Sequence, residues 1–147
     1  MNIQKSMEDL FGNACYAYCV AWNFSDATQR GDIKYLTSKV VEGWMNGWID
    51  DDGFVSKPVP YVNTVLGANV VRDVEKVNIT SLSELPEKGY HIVEYDWGVK
   101  KHFVVCNREG IVFDSWENSD TVKYGKPTSY RKYITKSDLL QSINEKR

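Results

Sequence analysis

The sequence predicts an α+β domain, and three observations carry that prediction. Apolar residues in the first half recur at helical spacing. The second half switches to short runs rich in β-branched and aromatic residues, cut by Gly, Pro and Asn. The chain has 147 residues, 42% of them hydrophobic, enough for one core but not for two, so a single domain over 1–147 is expected.

The elements follow in order. Asn13 is placed to cap a short helix over "ACYAYCVAW", where Cys15, Tyr18, Cys19 and Trp22 fall at i, i+3, i+4, i+7 and share one face. A second helix is expected from Asp32, with Ile33, Leu36, Val40, Trp44 and Trp48 in helical register and coherence lost near Gly47. "IDDDGF" reads as a turn; it lacks the alternating carboxylates and terminal Glu of a calcium loop. "KPVPYVNTVLGAN" predicts a shorter helix with its prolines in the lead-in and Gly67 at its end. Strands are expected at "NVVRDVEKV", "GYHIVEYDW", "KKHFVVC", "GIVFDSW" and "SYRKYI". One helical turn at "SLSELPEKG" and a last helix at "TKSDLLQSINEK", capped by Thr135 or Ser137, complete the reading.

Charge and composition narrow the partners. The formal net charge is −2, with acids and lysines interspersed, so no basic stripe exists for a nucleic-acid backbone. No apolar run approaches the roughly 20 residues that span a bilayer, and "MNIQKSMEDLFG" lacks the sections of a secretory signal. Three cysteines are an odd number, which suits free thiols in a reducing, cytoplasmic setting, with release or injection by another route left open.

Free thiols raise the question of chemistry. The unpaired N–H groups of a helix's first turn stabilise a thiolate, and Cys15 occupies that position whereas Cys19 lies a full turn deeper. Packing alone would also account for both. Of the two histidines, His91 reads as a satisfied strand residue, while His102 precedes a hairpin through "NREGI". A type I turn with a bulge at Gly110 would pair Asn107 with Ile111, Val105 with Phe113, Val104 with Asp114, Phe103 with Ser115 and His102 with Trp116. That register sets His102 and Asp114 on one face as diagonal neighbours. A slip of one residue would separate them.

Cys15, His102 and Asp114 then supply nucleophile, general base and orienting carboxylate, the set required for acyl transfer through a thioester. Besides the Cys15 backbone N–H, an oxyanion donor is needed, for which Asn13 is nearest and Gln4 the alternative; capping is the competing role of Asn13. Tyr16 and Trp116 are candidates to line a cleft, with core packing the alternative for each. No metal or cofactor is called for. Cys15, Cys19, His102 and Cys106 have the composition of a zinc site, but residues four apart on a strand stand about 13 Å apart at ~3.3 Å per residue, too far for one ion.

The order of these parts resembles the papain-like cysteine peptidase superfamily, carried by "GNACYAYCVAW", "KKHFVVC" and "GIVFDSW". Within it the chain most resembles compact peptidases typified by double-glycine leader-processing enzymes and related bacterial and phage families. "GWIDDDGFV" with "PVPYVNTVLG" is similar to the helical segment such domains insert between nucleophile and histidine. The resemblance implies a papain-like fold, with a nucleophile helix packed on a C-terminal antiparallel sheet. It also implies hydrolysis of a peptide or protein substrate at a peptide or amide bond. Two departures stand out. Relatives often follow the aspartate with Pro and Trp, where this chain has Asp114-Ser115-Trp116, and they usually carry Gln about six residues before the cysteine, where this chain has Asp9. A papain-like binding module with weak or absent turnover is therefore the alternative expectation.

Overall fold

Six α-helices and one five-stranded antiparallel sheet make up the computed structural model, which describes residues 3–116 and 119–145 and the side chains of 7–116 and 119–144. The helices are α1 (Ile3–Gly12), α2 (Cys15–Phe24), α3 (Ile33–Met45), α4 (Pro58–Leu66), α5 (Asp120–Tyr124) and α6 (Lys136–Glu145). The strands are β1 (Val71–Asn78), β2 (His91–Trp97), β3 (Lys100–Asn107), β4 (Gly110–Phe113) and β5 (Lys126–Thr135), in the spatial order β1-β5-β2-β3-β4. No described helix is long and apolar enough to cross a membrane.

Local signals account for most boundaries. Asp32 caps α3 by accepting the Tyr35 N–H, Pro58 opens α4, and Gly67 closes it with φ +74. Thr135 and Asp138 cap α6 reciprocally, each side chain accepting the other's backbone N–H. Two helices lie outside the sequence reading, α1 and the five-residue α5, and α3 ends at Met45, before Trp48.

The sheet separates two apolar clusters. Ile92 and Val105 pack with Leu10, Ala17, Val20, Val40 and Tyr61 beneath the helices. Their strand neighbours Val93, Val104 and Cys106 join Ile79, Leu85 and Tyr130 in the second cluster, as the alternation of a strand requires. Helix α2 packs on β3 and β2 and against α3 and α4. Hydroxyl contacts fix its position: Tyr61 donates to the Ala17 carbonyl at 2.9 Å, Tyr18 meets Thr37 at 2.9 Å, and Tyr16 meets Tyr133 at 2.6 Å.

The acidic turn after α3 is a structural piece. The Asp50 carboxylate accepts the N–H groups of Asp52 and Phe54, and Trp44 donates its indole N–H to Asp51. Gly53 sits buried under the junction of α1 and α2 with φ +91. A Cβ there would stand 2.3 Å from the Leu10 carbonyl oxygen, so only glycine allows this approach.

Candidate active site

Cys15 is the first residue of α2, and its capping residue is Ala14 rather than Asn13, with no side-chain capping bond. The expected Asn13 cap is thus corrected: its carboxamide turns back to donate to the Asp9 carbonyl at 3.4 Å. The reason is that α1 runs to Gly12, leaving a two-residue break in which Asn13 faces the preceding helix. As the opening residue of a helix, Cys15 carries a backbone N–H without an intrahelical acceptor. Its thiol is half-buried, whereas Cys19 and Cys106 are fully buried.

His102 lies near the start of β3, 5% exposed, with Nε2 2.6 Å from Asp114 Oδ1. Cys15 and His102 border the same two hollows, and with Nε2 taken by Asp114, Nδ1 is the ring nitrogen left for the thiol. The same Asp114 oxygen accepts the Trp116 backbone N–H at 2.9 Å, so a tight turn fixes the carboxylate.

The hairpin reaches this arrangement by a different register from the expected one. Val105 pairs with Phe113 as predicted, but Cys106 pairs with Ile111 and Asn107 with Gly110. The Asn107 carboxamide accepts the N–H groups of Glu109 and Gly110, closing a two-residue turn and moving the irregularity to the Ile111–Phe113 stretch. Because β4 ends at Phe113, the expected ladder pairs of Asp114, Ser115 and Trp116 are not formed. The carboxylate meets His102 from the turn beyond the strand.

Electrostatics follow from that geometry. Burial pulls the His102 imidazole downward, but the hydrogen bonds and charges of Asp114 and Cys15 outweigh it and raise its pKa to about 9. Burial drives the Cys19 thiol well above its ordinary value, with the charges of Cys15, Asp114 and Cys106 adding to the effect. Cys106 is pushed to about 12, mainly by burial.

Two hollows adjoin the Cys15–His102 pair. One of about 520 Å³ is walled by Met7, Phe11, Tyr18 and Trp116, with Glu8 at its edge. The other, about 650 Å³, reaches past Asn13 to Phe54, Lys100 and Lys101. Trp116, 64% exposed, borders both. Tyr16 borders neither. It packs edge-on to Phe103 and lines a third hollow, while Tyr18, not singled out from the sequence, takes a place beside the thiol. The side chain of Gln4 lies outside the described residues. His91 binds the carbonyls of Pro86 and Lys88 and stands apart from the site. Among the described residues, no three His, Cys, Asp or Glu side chains are grouped to hold a metal ion.

A thiol beside an imidazole that is bonded to a carboxylate has the parts to activate sulfur, shuttle a proton and hold the imidazole in one tautomer. Compared with protein-family models, curated proteins and solved structures, the chain matches none.

Proposed function

We propose that the protein is a cysteine-type hydrolase of papain-like architecture that cleaves a peptide or amide bond through a thioester on Cys15. The observation that carries this reading is the position of His102, which borders the same hollows as Cys15 and is bonded to Asp114 at 2.6 Å. Cys15 Sγ attacks the carbonyl carbon, and the developing oxyanion meets the Cys15 backbone N–H. The C–N bond breaks as His102 delivers its proton to the leaving nitrogen. An imidazolium that keeps its proton up to about pH 9 is suited to that step. Water then adds to the thioester, giving its proton to His102, and the C–S bond breaks to release the carboxylic acid and restore the thiol. Asp114 holds the ring throughout.

A second reading rests on the oxyanion side. Asp9 stands where relatives of this architecture carry Gln, and the Asn13 carboxamide is turned toward the Asp9 carbonyl. That favours a papain-like binding module with little turnover. Incubation with a quenched-fluorescent peptide library separates the two. The hydrolase reading expects cleavage that Cys15→Ala abolishes; binding without cleavage by the wild-type chain contradicts it.

A further inference from the structure

The hollow on the lysine side of Cys15 has Phe54 as one of its walls. Phe54, 58% exposed on the turn after α3, also walls the third hollow, of about 330 Å³, which runs along the helix side of the sheet between Phe103 and Pro58 to Lys76 and Arg131. Lys76 and Arg131 are cross-strand partners on β1 and β5 and share one face. Phe54 is the lining residue the two hollows share, and joined across it they would make one channel that starts at the thiol.

Its charge is one-sided. Lys100, Lys101, Lys76 and Arg131 line it, against Asp120 as the one carboxylate among the described lining residues. Part of that positive charge is neutralised from below: Glu94, 3% exposed, binds Arg131 at 3.0 Å and Lys101 at 3.3 Å, and Asp96 reaches Lys101 at 3.5 Å. The pairing holds Arg131 rigidly, with its guanidinium stacked on Phe103 at 5.0 Å. Among the described residues, Lys76 and Lys100 have no carboxylate partner within ion-pair distance, and Lys100 lies instead over the Trp97 ring. The hollow on the other side of Cys15 has the opposite character, apolar with Glu8 at its edge.

We propose that this channel is a substrate-recognition groove for a peptide carrying a carboxylate on one side of the scissile bond, with Lys76 and Lys100 as the residues that select it. The inference rests on the hydrolase reading and adds the substrate class. Aromatic walls at Phe54 and Phe103 cover the intervening peptide, while the cations attract and orient the acid.

The test uses the full chain as Cys15→Ala, which lacks the sulfur for turnover, and reads binding by fluorescence anisotropy. The probes are labelled alanine-based peptides in three forms: one aspartate with an amidated C-terminus, asparagine in its place, and asparagine with a free terminal carboxylate. At least one carboxylate form is expected to bind about tenfold tighter than the neutral peptide, with a preference that shrinks as salt is raised. Which form binds identifies the carboxylate as side chain or terminus. Lys76→Glu combined with Lys100→Glu, both exposed positions, is expected to abolish the preference. Equal affinities, no binding, or a preference that survives both reversals overturns the proposal. Because the readout needs no sulfur, failure of the wild-type chain to hydrolyse peptides would sink the hydrolase reading and leave this result standing.

Discussion

His102 Nε2 and Asp114 Oδ1 stand 2.6 Å apart although Asp114 belongs to no strand, because the turn that begins at Asp114 aims the carboxylate back at β3. In the proposed mechanism this carboxylate is a positioning group, holding Nε2 so that Nδ1 is left for Cys15. Asp114→Asn is expected to keep the fold and lower kcat by about a hundredfold or more, with a smaller effect on KM. The pH profile should also shift downward, since the substitution removes a charge that supports the His102 proton. Kinetics of the variant within about threefold of wild type, with an unmoved profile, would remove Asp114 from the account.

The surroundings of His102, Asp114 with Cys15, tie stability to pH. The folded-state pKa of His102 is raised from 6.5 to about 9, so the native state holds this proton more tightly than the unfolded chain. The resulting stabilisation is complete below pH 6.5 and lost as pH rises through about 9. Urea unfolding should therefore give a falling stability between pH 6.5 and about 9, and His102→Ala should flatten that slope. A wild-type curve that is level or rising over this window contradicts the assignment.

Gly53 links the acidic turn to the junction of α1 and α2. Its φ of +91, and the mere 2.3 Å that would separate a Cβ from the Leu10 carbonyl oxygen, leave no room for alanine. Gly53→Ala should cost about 2 kcal/mol or more, read as a fall in Tm, because strain and a backbone clash act together. An unchanged Tm would mean that the turn moves freely relative to α1.

Glu94 is the buried acid beneath the proposed groove. Burial pushes its carboxyl up, but contacts with Asp96, Arg131 and Lys101 outweigh this and hold it below the usual range. Glu94→Ala leaves the partly exposed Arg131 without its carboxylate partner and should destabilise by about 1–3 kcal/mol in urea. A loss under about 1 kcal/mol would show that solvent screens the cluster.

How far the sequence reads into this structure depends on the range of the forces involved. Asp32, Pro58, Gly67 and Thr135 act within a turn of their own position, and the boundaries they mark on α3, α4 and α6 are legible. The alternation of Ile92 with Val93 and of Val104 with Val105 identifies strands by burial. Asn13 misleads because its capping propensity competes with α1, a helix that Ile3, Met7, Leu10 and Phe11 signal by falling at i, i+4, i+7 and i+8. The His102–Asp114 contact is anticipated although the hairpin pairs differently past Val105, since Val105↔Phe113 is the one pair that fixes the approach. Tyr18 stands beside the thiol because it shares the Cys15 face of the helix at i, i+3, whereas Tyr16, about 200° round the helix from Tyr18, packs on Phe103 and Tyr133. The groove past Phe54 joins the turn after α3 to strands β1 and β5, and no short stretch of sequence announces it.

The central claim is that Cys15 is a nucleophile served by His102, and site-resolved alkylation of the native protein by iodoacetamide at about pH 6 tests it most directly. Mass spectrometry should find Cys15 modified first, Cys19 and Cys106 unmodified over the same time, and a rate at Cys15 reduced about tenfold or more by His102→Ala. Equal, slow modification of all three thiols, with no change in the variant, would contradict the account.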